Sequence, residues 1–272
     1  MGYWDDRARM MGSRPAATGW GGYLRELELL TLREQLKEIA SPVLDLGCGN
    51  GYLLGSLTRM SGGKVRIVGM DRSTQMLSVA RGHGRFLVCG DAVRLPFKAG
   101  AFASAYSVRT LINMGSREKQ ARALGEVARV LKQGGKLTLI ECFEKPFGRL
   151  NAMRRRLGLP DLPSPRYNIF LQRPVVLKTM GDDGLQLVGS WSFPLSTAID
   201  KLILSKLEAR RTPGFGRRFL VTLRPFERPA SRLLGDLGHD AVMVGRKSLQ
   251  PVDPDGCAQT TQYLSSTVPR SA

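Results

Sequence analysis

Three glycines at alternate positions, Gly47, Gly49 and Gly51, follow directly on the run Val43-Leu44-Asp45-Leu46. A backbone without side chains bends sharply and comes into van der Waals contact with a ligand. The helix expected next, with Leu53 and Leu54 on its inner face, offers free N–H groups to a carboxylate or another polar group. Two more acids stand at the ends of later apolar runs, Asp71 after Lys64 to Met70 and Asp91 after Phe86 to Gly90. Asp71 lies 20 residues past Gly51, the distance at which a strand-end carboxylate reaches a ribose and accepts hydrogen bonds from both hydroxyls. One acid taken singly is more often a turn or cap residue. Asp45, Asp71 and Asp91 at three successive strand ends are harder to dismiss, and with the glycine turn they mark a ligand crevice. Its ligand is not a dinucleotide, because G-x-G-x-x-G would require glycine at 52 or 54, where Tyr52 and Leu54 stand. No G-x-x-x-x-G-K-[ST] is present for a nucleoside triphosphate.

These residues need a sheet to hold them. The sequence predicts strands over 43–46, 64–71, 102–108, 137–140, 185–193 and 239–247 and a strand and loop over 86–92, with helices after Gly51 and over 23–39, 73–81 and 117–131. Residues 1–20 read as an irregular arm and 142–184 as an irregular, basic, proline-rich insertion. Residues 196–232 read as helical or looped, and the polar stretch from Ser248 onward as disordered.

The pattern hydrophobic-hydrophobic-Asp-hydrophobic-Gly-x-Gly-x-Gly at 43–51, and the string Glu126-Val127-Ala128-Arg129-Val130-Leu131-Lys132-Gln133-Gly134-Gly135, resemble class I S-adenosylmethionine-dependent methyltransferases of the small-molecule, ubiquinone-type (methyltransferase-11-like) group. The resemblance is detailed over 43–141 and thins beyond. It implies an α/β fold: a doubly wound, Rossmann-like, mostly parallel seven-stranded sheet with an antiparallel last strand, helices on both faces and a substrate cap. The domains expected are an arm and lid helix over 1–40, a methyltransferase domain over 41–247 with cap segments 142–184 and 194–236, and the tail 248–272. The implied cofactor is S-adenosyl-L-methionine. Around it the resemblance places Asp45, Gly47, Cys48, Gly49, Asn50, Gly51, Asp71, Arg72, Asp91, Ala92 and Ser107. Asp91-Ala92 match the pair that contacts the adenine amino group. Arg72 departs from the apolar residue usual beside adenine, and its stem or guanidinium plane is left to stack. The Asp/Asn-Pro-Pro-Tyr/Phe/Trp motif of DNA-adenine and glutamine-amide methylation is absent, since Ser107 to Asn113 stand in its place.

For the acceptor the sequence offers Glu141, expected at a strand exit, as base or substrate anchor, with pairing to an arginine as its structural alternative. Arg109, Asn113, Asn151 and Arg154 are candidate substrate or lid contacts, while His83 and His239 read as surface residues. The 272 residues carry a net charge of +18 and a pI near 10.4. Between Lys145 and Arg232 there are 17 Lys or Arg against 6 Asp or Glu, so the excess is concentrated in the expected cap. Such a surplus favours anionic partners: nucleic acid, acidic lipid or a phosphorylated substrate. The aromatics are not interleaved with it as a nucleic-acid platform requires. The resemblance implies a small-molecule acceptor (saccharide, lipid or secondary metabolite, anionic or neutral), methylated on O or N rather than C; the alternative readings are an RNA methyltransferase or a non-catalytic RNA-binding or accessory protein on the same fold. Cys48, Cys89, Cys142 and Cys257 form no metal-ligand or disulfide pattern, so no metal is expected. No apolar run approaches the ~18 residues of a membrane span, and no apolar signal region opens the sequence, which predicts a cytoplasmic protein.

Overall fold

The computed structural model describes residues 2–18, 22–37, 41–165, 167–208, 217–235, 237 and 240–249. Seven strands, β1 (Val43–Leu46), β2 (Ile67–Asp71), β3 (Phe86–Cys89), β4 (Phe102–Val108), β5 (Leu131–Cys142), β6 (Leu185–Ser192) and β7 (Asp240–Lys247), form one sheet in the order β3-β2-β1-β4-β5-β7-β6. Strands β1 to β5 pair in parallel, and β7 runs antiparallel to both its neighbours. The topology is the expected one. The chain leaves β1 toward β2 on one side and returns to β4 on the other, so a crevice opens at the carboxyl ends of β1 and β4, where ligands of open α/β sheets bind.

Both faces of the central strands are buried, which is why their sequences read as nearly continuous apolar runs. Leu44, Leu46, Met70, Ala105 and Leu139 pack beneath α5 (Arg117–Val130) and α7 (Arg173–Asp182) through Leu124, Val127 and Met180. Alternate residues Val43, Tyr106, Ile140 and Val242 pack against α2 (Gly22–Leu36) and α3 (Tyr52–Met60) through Leu24, Leu27, Leu54 and Leu57. Helix α4 (Thr74–Ala80) starts at Ser73, whose hydroxyl accepts from the Met76 N–H at 3.1 Å, as its position before the helix predicts.

Several boundaries differ from expectation. β2 begins at Ile67 rather than 64, and β3 ends at Cys89, with only an isolated Asp91–Arg94 bridge beyond it. β5 begins at Leu131, and residues 132–135 bulge out, since Phe102 pairs with Leu131 and the next register pair is Ser104 with Lys136. The arm is not irregular: α1 (Tyr3–Met11) and a 3-10 turn at Pro15–Ala17 occupy it. Nor is the insertion, which holds α6 (Glu144–Arg156) and α7. After β6 come α8 (Pro194–Ala198), a π-helical turn (Ile199–Leu204), α9 (Ser205–Glu208), a 3-10 stretch (Arg217–Leu223) and α10 (Arg224–Leu234). The last residues of the predicted 23–39 helix, His239 and positions 250–272 of the tail lie outside the described residues. No helix among the described residues is long and apolar enough to cross a membrane.

Helix α2 is tied to the sheet by charge as well as by apolar packing. Glu28, fully buried, receives the Arg25 guanidinium at 3.1 Å and that of Arg109, whose other close acid is Asp240 of β7 at 3.6 Å. Removing one member of such a group strands the others as uncompensated buried charges. Glu28→Ala is expected to destabilise the fold by about 3–5 kcal/mol, read as a lowered midpoint in urea denaturation.

Candidate active site

The glycine loop leaves β1 and is fastened to β2: the N–H groups of Gly47 and Cys48 donate to the Met70 carbonyl at 2.7 and 2.9 Å. Gly47 and Gly49 have φ of +72° and +54°, a region L side chains rarely adopt. A Cβ on Gly47 would collide with the Thr110 side chain, and one on Gly49 would stand 2.5 Å from Thr18 Cγ2. The loop is therefore pressed between the turn after β4 and the N-terminal arm. Asp71 closes the cradle from β2, its Oδ2 accepting from Gly49 N–H at 2.8 Å and its Oδ1 from Ser73 N–H at 2.9 Å. Burial raises its carboxyl above the usual range against the pull of the Ser73 and Gly49 amides. Each oxygen still has a lone pair to offer a hydroxyl donor.

Two adjoining cavities occupy the crevice. The first, of about 170 Å³, is lined by Gly47, Gly49, Asp71, Arg72, Asp91 and Ala92, with Met70, Met76 and Thr110. The second, of about 460 Å³, is lined by Tyr3, Trp4, Arg7, Tyr167 and Asn168, and the two share Trp4, Thr18, Arg109 and Asn113. Its wall is a ring cluster, with Tyr3 5.0 Å from Trp4 and 4.5 Å from Tyr167 between centroids. Helix α1, which carries Tyr3 and Trp4, is held over the crevice at two points. Ser73 Oγ donates to Asp5 Oδ1 at 2.6 Å, and Asn50 Nδ2 donates to the carbonyls of Gly12 and Arg14 at 3.0 Å each.

Of the residues singled out from sequence, Gly47, Gly49, Asp71, Arg72, Asp91, Ala92, Arg109 and Asn113 come together on these walls. Asp45, Cys48, Asn50, Gly51 and Ser107 do not line either cavity and stand behind the loop. Asp45 accepts from the Tyr106 hydroxyl at 2.8 Å, and burial pushes its carboxyl up to about 7 against that bond. Glu141 requires a correction. It is fully buried and faces no cavity; its Oε1 collects the Ser107 hydroxyl at 2.9 Å and the N–H groups of Thr110 and Leu111 at 2.9 and 3.0 Å. Burial raises it to about 7 while the Leu111, Ser107 and Thr110 donors pull it down. A carboxylate enclosed in this way shapes the turn after β4 and lines neither of these cavities.

Asn151 and Arg154 are also placed elsewhere. Asn151 Oδ1 accepts from Leu162 N–H at 2.9 Å, and Arg154 donates to the carbonyls of Pro160 and Lys201, so both lock cap segments together. Sequence reasoning missed Trp4, Thr18, Thr110 and Tyr167 as cavity walls. The aromatic pair Tyr3-Trp4 was the available signal, since two large rings in a charged arm need a surface to cover.

Residues 43–135 match a family model described as a methyltransferase domain. The tRNA (carboxymethyluridine(34)-5-O)-methyltransferase alkbh8 of Xenopus tropicalis is 34% identical over 96 residues, 35% of this chain and 14% of that protein. A protein of Encephalitozoon cuniculi named as a methyltransferase is 34% identical over 140 residues, 50% of this chain and 59% of that protein. The chain thus spans less than two thirds of either relative. Among solved structures, the magnesium protoporphyrin IX methyltransferase of Synechocystis PCC 6803 superposes with a TM-score of 0.54 at 14% identity, over 89% of this chain and 94% of that one, a likeness of fold.

The raised Asp45 carboxyl has a sign that can be tested. Its folded pKa lies above the usual 3.8, so the folded state holds the proton more tightly, and stability from this group falls as pH rises from about 4 to 7. Asp45→Asn removes that loss. Urea denaturation of variant and parent is expected to show the variant gaining a few kcal/mol on the parent between pH 5 and pH 8.

Proposed function

We infer from residues 43–135, which form a class I, S-adenosylmethionine-dependent methyltransferase domain, that the protein transfers a methyl group to a small-molecule acceptor seated in the aromatic cavity. The observation that carries this reading is a glycine cradle and a strand-end carboxylate facing one lobe of a crevice whose other lobe is ringed by Tyr3, Trp4 and Tyr167. The first lobe fits the cofactor in its lining: Gly47 and Gly49 border it without side chains, and the Asp71 carboxylate retains acceptor capacity. In this reading Asp71 holds the ribose hydroxyls, Gly47 and Gly49 admit the methionine portion, and Asp91, Ala92 and Arg72 border the adenine. Asp45, Cys48, Asn50, Gly51 and Ser107 set the loop from behind. Residues 1–40 act as the lid, 41–247 as the methyltransferase domain, and 142–184 with 194–236 as the cap.

S-adenosyl-L-methionine supplies a methyl group already activated by a positive sulfur. What remains for the protein is to align the acceptor and exclude water. Trp4 and Thr18 border both lobes and serve both tasks. The second lobe offers rings, hydroxyls, amides and the Arg7 guanidinium, the Arg109 guanidinium being matched by Glu28, and among the described residues no carboxylate lines it. That lining suits a neutral or anionic acceptor and disfavours an ammonium. Burial, with a hydrogen bond to Tyr3, raises the Tyr167 phenol above its ordinary value, so it stays protonated.

A second reading, an RNA acceptor, draws on the tRNA-modifying relative and the basic cap. Salt separates the two, because each phosphate contact to a single strand steepens the fall of log K against log salt by roughly 0.7. Incubation with labelled cofactor and cell extract is expected to put label into the small-molecule fraction, with turnover little changed between low and physiological salt. Label recovered in RNA would overturn the small-molecule acceptor. Asp71→Ala is expected to weaken binding of S-adenosylhomocysteine by about 1–3 kcal/mol in titration calorimetry; an unchanged affinity removes Asp71 from the cofactor site.

A further inference from the structure

Helix α10 divides its polar from its apolar residues cleanly and packs with the polar side inward. At 100° per residue, Arg224, Glu227, Arg228, Ser231 and Arg232 fall on one half, and Pro225, Phe226, Pro229, Ala230 and Leu233 on the other. An amphipathic helix on a globular protein normally turns its apolar stripe to the core. Here Glu227, 1% exposed, accepts from the N–H groups of Leu195 and Ser196 at 3.0 and 2.8 Å and from the Ser196 hydroxyl. Ser231 Oγ accepts from Ser192 N–H at 3.0 Å. The Arg228 guanidinium lies 4.0 Å from the Trp191 ring centroid and pairs with Glu34. These inward contacts fix the orientation, because rotating the helix would take Glu227 and Ser231 away from their partners. On the outer side Phe226 is 61% exposed and Leu233 85%, while Ala230 is buried; Leu234, on the Glu227 side, is 53% exposed and Phe219 of the preceding 3-10 stretch 41%.

Something apolar must meet that ridge, and the charge distribution selects among the candidates. A second copy of the chain would bring another +18 against the same basic region. Residues 250–272 contain Val252, Tyr263, Leu264 and Val268 as their large apolar residues, spread among polar ones rather than gathered into a stripe. An anionic lipid surface meets both needs. Its headgroup–acyl boundary accepts Phe and Leu side chains, and its negative potential attracts a region with 17 Lys or Arg against 6 Asp or Glu. We propose that the outer face of α10, through Phe226 and Leu233, docks the protein on an anionic lipid bilayer, lying on it rather than spanning it.

Sedimentation of the full chain with phosphatidylcholine vesicles, pure or mixed with phosphatidylglycerol, tests the assignment. The parent is expected to pellet with the mixed vesicles at physiological salt and to stay in solution with the pure ones. Phe226→Ser combined with Leu233→Ser removes apolar surface without changing charge and is expected to lower vesicle affinity about tenfold. Thermal unfolding and S-adenosylhomocysteine binding are expected to be unchanged, and should the pair impair folding, Leu233→Ser alone carries the test. A parent that ignores mixed vesicles overturns the proposal. So does a serine variant that binds as well as the parent, which would mean adsorption by charge alone. A parent that sediments as a dimer, with a monomeric serine variant, assigns the ridge to a second copy and overturns it as well.

Discussion

The crevice depends on two buried acids that hold the turn after β4. Glu141, at the end of β5, gathers the Ser107 hydroxyl and the N–H groups of Thr110 and Leu111, while Glu28, on α2, grips the Arg109 guanidinium. Between them the Arg109 backbone is held at φ +51°, the one positive value on a non-glycine residue among those described. Such a conformation costs of order 1–3 kcal/mol and persists only where its surroundings over-determine it. The consequence is geometric. Thr110 is pressed against Gly47, which leaves no space there for a side chain, and Arg109 and Asn113 are delivered to the boundary between the two cavities.

The parts of this arrangement that rest on local sequence were legible in it. Strands β1 and β4 fall at their expected residues because both faces of each are buried and their apolar runs have sharp ends. Glycine spacing marked the loop for the same kind of reason. Helices α6 and α7 were obscured by Pro146 and Pro174, which read as breakers in a basic stretch. Both prolines lie in first turns, where a helix has no N–H bond to lose. Helix α1 escaped notice because only Ala8 of its nine residues is buried. Asn151 and Arg154, expected as substrate or lid contacts, instead meet partners 6 to 47 residues away in the chain, a separation no periodicity reveals. Glu141 was a strand-end acid as expected, yet the turn after β4 folds its amide groups over the carboxylate and shuts it off from the crevice.

The charge surplus reads differently once its partners are known. Arg109 is matched by Glu28, Arg224 and Arg228 share Glu34, Arg129 closes on Glu126, and Arg154 is consumed by backbone carbonyls. Individual arginines of the cap thus act as struts, and the field that reaches solvent is the sum of what they leave uncompensated. A sum of that kind steers association with an extended anionic surface and does little to choose one small ligand over another.

Under the proposed function, discrimination among acceptors falls instead to shape, and the arm supplies it. Helix α1 provides Tyr3 and Trp4 to the second cavity, yet its two anchors, Ser73 and Asn50, belong to the start of α4 and to the glycine loop, the elements that bound the first. Whatever fills the first lobe therefore bears on the residues that hold the arm, and the arm in turn forms the wall of the second. The two lobes are coupled through this one short helix, fastened by a hydroxyl, a carboxylate and an amide rather than by buried apolar surface. Polar anchors that water can replace keep such a helix releasable, and a covering element over a crevice that must admit ligands has to be drawn from the less stable part of the fold.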